Sequence, residues 1–305
     1  MTILKPGSEH ESLRLDVYIS GECEELSRSA AVKLIESGLV TCEGVTLKKN
    51  HRVTAGEIYR VIIPERKEGK ILPQDIPLDI VYEDENILII NKPRGMVVHP
   101  AAGNLDGTLV NALLHHCGDN LSSINGEIRR GIVHRIDKDT SGLLAVAKND
   151  FAHCELALQL ADHHMRRIYH ALVCGYMRAP EGTIDAPIGR NAADRKKMAV
   201  TDKNSRRAVT HYRALSEYLG YSLLECSLET GRTHQIRVHL SYMGRPVAGD
   251  TLYGGRDEFS LDGQCLHAKL LSFRYPGREY MVTFETEYPE YFTRVINILE
   301  KRMNG

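Results

Sequence analysis

Three stretches of this sequence concentrate side chains able to do chemistry. The first runs Gly131-Ile-Val-His-Arg-Ile-Asp-Lys-Asp-Thr-Ser-Gly142, in which His134, Arg135, Asp137, Lys138, Asp139 and Thr140 are charged, titratable or hydroxylic. The apolar run at 143–147 follows at once. A polar loop entering a core strand carries its side chains to a sheet edge, a usual place for a site. On spacing alone, a solvated turn with an Asx or Ser/Thr cap is the favoured alternative. The second stretch is Gly231-Arg-Thr-His-Gln-Ile-Arg-Val-His239. Arg237 falls beside the apolar positions Ile236 and Leu240 of an expected helix, where a partly buried guanidinium needs a carboxylate partner. A surface helix with scattered basic residues fits that pattern equally well. The third, residues 189–213, sets Arg190, Arg195, Lys196, Lys197, Lys203, Arg206, Arg207 and Arg213 against Asp194 and Asp202. It reads as an exposed loop or hairpin tip that is either merely solvated or a polyanion contact.

Other chemistries lack their usual support. His115-His116 and His163-His164 are adjacent pairs, and His234 and His239 are five apart, so none has metal-ligand spacing on one helical face. There is no Walker loop, no G-x-G-x-x-G and no G-x-S-x-G, which removes the common signatures of nucleotide hydrolysis, dinucleotide redox chemistry and serine hydrolases. The 305 residues include seven cysteines and no C-x-x-C. That argues for free thiols in a reducing compartment, hence the cytoplasm. A net charge of −1 excludes a uniformly basic protein, so contact with nucleic acid would require locally gathered charge. No apolar run approaches the length of a membrane span, and the N-terminus lacks the core of a secretory signal.

The elements that must position these residues can be read in outline. The first ten residues look like a loose tail. A small unit at 12–66 follows, with helices near 13–20 and after Ser27 as N-cap, Gly38 as C-terminal stop, and short strands at 39–42, 45–47 and 58–63. The proline-bearing, charged stretch after it makes residues 67–79 the expected linker. From 80 to 305, strands and helices mix. A hairpin joins 80–82 to 87–90. Helices are expected at 108–117, after Asn149 with an apolar stripe of Phe151, Cys154, Leu158 and Ala161, after Thr233 as cap with an inner face of Ile236, Leu240 and Met243, and at 291–299. Strands are expected at 143–147, 168–176, 208–218, 221–229 and 280–284. Strands often follow one another directly, which predicts an α+β fold with a mixed, largely antiparallel sheet.

At this point the motifs resemble a known family. His134-Arg135-Ile136-Asp137-Lys138-Asp139-Thr140-Ser141-Gly142 is similar to the catalytic signature of the RluA-type pseudouridine synthases. Asn91-Lys92-Pro93-Arg94-Gly95, leading to Val97-Val98-His99-Pro100, resembles their first motif, and Arg167-Ile168-Tyr169-His170-Ala171-Leu172-Val173 their tyrosine motif. Gly231–His239, continuing through Gly244-Arg245-Pro246 and Gly249-Asp250, resembles their arginine motif. Four motifs in order cover roughly residues 80–275, and the RluD-like branch is the nearest. Residues 13 to about 63 resemble the small αL RNA-binding module named after ribosomal protein S-four.

The resemblance implies isomerisation of uridine to pseudouridine in RNA, in large-subunit ribosomal RNA for this branch, with no cofactor and no metal. It implies that Asp137 is the essential carboxylate, as nucleophile or base, that Arg237 pairs with it, and that Tyr169 lies against the uracil. A target base must leave its stack to reach such a site, and Arg135 would enter the gap. Arg190, Arg195, Lys196, Lys197, Arg206 and Arg207 are the expected phosphate contacts, and Asp139 is assigned a capping role in the loop. A monomer is expected. Two other classes remain open: a non-catalytic RNA-binding or ribosome-assembly protein, and a small-molecule glycosidase using Asp137 with Asp139.

Overall fold

The computed structural model describes residues 2–23, 26–48, 50–63, 71–101 and 103–305. The chain divides into two compact units, Met1–Gly69 and Lys70–Gly305.

The first unit opens with a strand where the sequence suggests a loose tail. Strand β1 (Thr2–Leu4) pairs antiparallel with β4 (Tyr59–Val61), so the N-terminus is fixed by a partner more than fifty residues away that local pattern cannot show. Helices α1 (Leu15–Glu22) and α2 (Arg28–Glu36) and strands β2 (Val40–Cys42) and β3 (Val45–Thr46) complete it, with sheet order β1-β4-β2-β3. Ser27 caps α2, its Oγ accepting from the Ala30 amide at 3.3 Å. Leu15, Ile19, Ala31, Ile35, Val40, Tyr59 and Val61 form the buried core. The buried carboxylate of Asp16 accepts from Arg14 and Arg28, which together bring its pKa down to about 2 against the cost of burial.

In the second unit, β5 (Ile80–Glu83) and β6 (Ile87–Lys92) form the expected hairpin. Then come α3 (Leu109–Cys117), β7 (Ser141–Ala147), α4 (Asp150–Ala161), β8 (Arg166–Cys174), β9 (Glu181–Asp185), β10 (Ile188–Arg190), β11 (Met198–Val200), β12 (Ser205–Arg206), β13 (Val209–Tyr218) and β14 (Tyr221–Leu228). Helix α5 (Gln235–Tyr242), β15 (Leu266–Arg274), β16 (Met281–Glu285) and α6 (Glu290–Asn304) close the chain. Among the described residues nine strands make one sheet, in order β5-β6-β7-β15-β8-β14-β13-β9 with β16 on β15. Only β7 and β15 run parallel; every other pairing is antiparallel. The architecture is α+β with the mixed, largely antiparallel sheet that the order of elements predicts.

All seven residues of β7 are buried, as its uninterrupted apolar run requires for a strand covered on both faces. Helix α4 differs from the reading. Asn149 does cap it, accepting from the Ala152 amide at 2.8 Å, but the face it buries is Ala152, His153 and Leu156, while Phe151, Cys154, Leu158 and Ala161 are exposed. Ala152 and Leu156 pack on Ile87, Ile89, Leu143 and Ala145 of the sheet, and it is this contact that selects the buried face.

The expected linker also differs. Residues 64–70 lie outside the described residues. Residues 71–79 form no regular element, yet they are fastened to the second unit: the Asn111 side chain donates to the Leu72 carbonyl at 2.8 Å, and the Gln74 amide donates to the Asn111 carbonyl at 3.0 Å.

Candidate active site

The polar loop 134–140 enters β7 and is held at several points. The His134 Nε2 accepts from the Ala145 amide at 3.0 Å, and burial takes this imidazole down to about 3, so it is neutral at physiological pH. Ile136 inserts into the main core. Lys92, wholly buried at the end of β6, donates to the carbonyls of Pro93, Met96 and Lys138 at 2.7, 2.9 and 3.0 Å. Desolvation lowers its pKa to about 7, against the pull of Asp139 and Asp137. Gln264 donates to Thr140 Oγ1 at 3.0 Å. Gly142 has φ +110°, and a Cβ there would lie 2.3 Å from the Ala268 carbonyl oxygen, so only glycine lets the loop join β7 so close to β15. With Ile136 turned into the core, Asp137 faces a small cleft, and exposed Arg135 stands at the cleft's rim with Nη1 3.4 Å from His99 Nε2.

The other wall is the start of α5. Thr233 does not cap this helix. His234 occupies the N-cap position in a left-handed conformation (φ 57°), and the Gln235 side chain instead accepts from the Arg232 amide at 2.9 Å and from Thr230 Oγ1 at 2.7 Å. Met243 lies beyond the helix and is exposed. The shift places Arg237 in the first turn, buried and facing two carboxylates. Its Nη1 donates to Asp137 Oδ2 at 3.0 Å, while Nε and Nη2 donate to Asp250 Oδ2 and Oδ1 at 2.6 and 2.9 Å. These acids raise its pKa well above an already high value, against the cost of burial. Its guanidinium also lies 5.0 Å from the Tyr253 ring, whose hydroxyl is 2.8 Å from His234 Nδ1. Asp250 follows Gly249, where φ is +77° and a Cβ would meet the Gly263 carbonyl oxygen at 2.2 Å.

Tyr169, on β8, supplies an aromatic wall of the same cleft and is nearly inaccessible to solvent. Burial pushes its phenol above the ordinary value, Arg167 opposing and Asp137 reinforcing the rise, so it is an un-ionised ring at neutral pH. The structure therefore brings Asp137, Arg237 and Tyr169 together, with Arg135 at the rim.

The basic segment is more ordered than a loop. Strands β10, β11 and β12 form a small antiparallel sheet, with Ile188, Ala208 and Val238 in a buried cluster. Arg195 and Lys196 are exposed and Lys197 partly so; Arg190 donates to the Arg195 carbonyl at 2.9 Å. Arg206 is exposed, and Arg207 is shared between Asp185 and Glu229 at 3.3 and 3.5 Å. Asp139 caps nothing: no hydrogen bond reaches its carboxylate among the described residues, and it acts as a nearby negative charge on Lys92 and Tyr291. Glu83, His116 and Cys117 come within 4.8 Å of one another, which sequence spacing hides. Lys148 already takes Glu83 at 2.7 Å, His116 takes its other oxygen at 2.8 Å, and burial moves the Cys117 thiol up to about 11, so the group reads as an ion-pair cluster.

Asp250 has no assigned role in the sequence reading, although a buried Arg237 signals a need for carboxylates. Lys92, Arg167 and His234 stand in the quoted motifs without an assigned role, Tyr253 lies outside them, and all four belong to the site.

Residues 86–242 match the family model described as RNA pseudouridylate synthase. The chain is 47% identical over 293 residues to the uncharacterized RNA pseudouridine synthase YlyB of Bacillus subtilis, covering 96% of each. It is 47% identical to the ribosomal large subunit pseudouridine synthase D of Zymomonas mobilis, covering 91% of this chain and 90% of the relative. Among solved structures, human RNA pseudouridylate synthase domain containing 1 superposes with a TM-score of 0.57 at 25% identity, over 74% of this chain and 96% of that one. The chain belongs to the RluA-type RNA pseudouridine synthases, and it is an isomerase acting on RNA. No helix among the described residues is long and apolar enough to cross a membrane.

Proposed function

We propose that this enzyme converts specific uridines of large-subunit ribosomal RNA to pseudouridine, with Asp137 as the essential carboxylate. The observation that carries the assignment is the Asp137–Arg237 pair lining the cleft walled by Tyr169, with Asp250 holding Arg237 from behind. Both candidate roles of Asp137, attack on the sugar carbon or removal of a sugar proton, require the ionised form. Arg237 favours that form and fixes one oxygen. The ribosomal substrate is supported by relatives named ribosomal large subunit pseudouridine synthase D, in Zymomonas mobilis and in Pseudomonas aeruginosa at 43% identity.

In this reading the target nucleotide leaves its stack, Arg135 takes the vacated place, and the uracil lies against the Tyr169 ring. The glycosidic bond breaks, the base turns, and its carbon 5 joins the ribose. Arg190, Arg195, Lys196, Lys197 and Arg206 contact phosphates, and Arg207 does so after leaving its exposed carboxylate partners. The first unit, 12–66 in the sequence reading, is the RNA-binding module, and work on ribosomal RNA places the enzyme in the cytoplasm. A pseudouridine map of ribosomal RNA from cells with and without the protein tests the function. Loss of pseudouridine at defined large-subunit positions supports it, and an unchanged map contradicts it.

A further inference from the structure

Arg167 is a buried cation that no carboxylate among the described residues neutralises. It sits on β8 two residues before Tyr169 and is 7% exposed. Among the described residues it forms no ion pair. Its Nη2 donates only to the main-chain oxygen of Glu229, at 3.3 Å, while the Glu229 carboxylate turns away to Arg207 and His211. Its Nε is buried with no partner. The guanidinium lies against Gly231, where a Cβ would stand 2.8 Å from Nη1, so a larger residue there would press on the guanidinium. Burial without a counter-charge is costly for a cation and persists where an anion arrives to complete it.

The position of Arg167 identifies the anion. The residue lines both the cleft holding Asp137 and a second cleft of about 370 Å³ that shares Arg135, Gly231 and Arg232 with it. That second cleft is also lined by His163, Arg135 and Arg232, with Glu229 as its one acidic residue. A nucleotide whose base enters the first cleft carries its phosphates out beside it, and a planar guanidinium fork suits a phosphate. We propose that Arg167 binds a backbone phosphate adjacent to the target uridine from this second cleft. The proposal rests on the proposed function and assigns its substrate contact: Arg167 sets the register of the strand, so that one uridine and not its neighbour meets Asp137.

The test is a thermodynamic cycle on a ribosomal RNA fragment spanning a mapped target uridine. A single neutral methylphosphonate replaces, in turn, each phosphate within about two nucleotides of that uridine, and Kd is measured for the unaltered enzyme and for Arg167→Met. At one position the methylphosphonate should weaken the unaltered enzyme about tenfold, Arg167→Met should lose a similar factor on the all-phosphate RNA, and the two together should cost no more than either alone. Arg167→Lys, which keeps the charge, should retain sensitivity to that same methylphosphonate. Additive losses at every position would overturn the proposal. So would an unaltered enzyme indifferent to every single replacement, a result that needs no variant to fold. Turnover of the all-phosphate RNA is scored separately: its absence counts against the proposed activity, whereas the coupling in Kd is read without turnover.

Discussion

Arg237 gives Asp137 a single hydrogen bond, at 3.0 Å to Oδ2, and Oδ1 of that carboxylate has no protein partner among the described residues. One oxygen is thus fixed and charge-stabilised, while the other is left for a reacting atom. The asymmetry depends on Asp250, which engages Nε and Nη2 and leaves only Nη1 to reach the loop.

Asp250→Asn therefore tests positioning. The amide accepts one donor and presents its own N–H to the other, so the guanidinium loses its fixed direction. The pseudouridylation rate on bound RNA should fall by about tenfold or more, with a much smaller change in RNA affinity. Stability should drop by about 3 kcal/mol, because one member of a buried ionic group loses its charge. Single-turnover kinetics alongside equilibrium binding checks this, and equal losses in both would contradict it.

Lys92→Met tests the anchor of the loop. Three carbonyls lose their shared donor, one of them on the residue after Asp137. An unmet buried acceptor costs about 1–3 kcal/mol, so the melting temperature should fall by several degrees. A melting temperature within a degree of the unaltered protein would show that the ammonium holds nothing.

His134 predicts a pH dependence. Its folded pKa of about 3 lies below the ordinary value of 6.5, so the unfolded chain binds the proton first. The stability contribution is complete above pH 6.5 and is lost as pH falls towards 3, by at most about 1.4 kcal/mol per pH unit. His99 and His267, each lowered to about 4 mainly by burial, act in the same direction. Urea unfolding between pH 7.5 and 4.5 should show a shallower slope for His134→Gln, whatever its absolute stability. Parallel slopes would remove this histidine from the acid sensitivity.

Neutralising Arg195, Lys196 and Lys197 together should weaken RNA binding and flatten its dependence on salt, since each phosphate contact releases counterions. Kd measured across a salt series reads the slope, and an unaltered slope would take this segment off the RNA surface.

Much of this site is legible in the sequence, because its residues lie in short runs whose chemistry is dense: the loop around Asp137, the turn before Arg237, the strand bearing Tyr169. What escapes is what arrives from a distance. Asp250 is thirteen residues from Arg237, and β1 finds its partner at Tyr59–Val61; neither pairing has a local period. The start of α5 escapes local pattern: Thr233 is a good cap in general, whereas here the buried Gln235 side chain accepts from the Arg232 amide and His234 takes the left-handed turn. The exposed stripe of α4 shows the same limit, since helical spacing identifies two faces and only the sheet decides between them.

The most direct measurement compares Asp137→Asn with Asp139→Asn on the same RNA. Asp137→Asn preserves shape but removes the charge, and an amide is neither a nucleophile towards a sugar carbon nor a base for its proton. That variant should fold, bind RNA and form no detectable pseudouridine. Asp139 makes no hydrogen bond among the described residues and does not touch Arg237, so Asp139→Asn should keep most of the activity. Substantial turnover by Asp137→Asn, with loss of activity in Asp139→Asn, would contradict the placement of the reaction at Asp137.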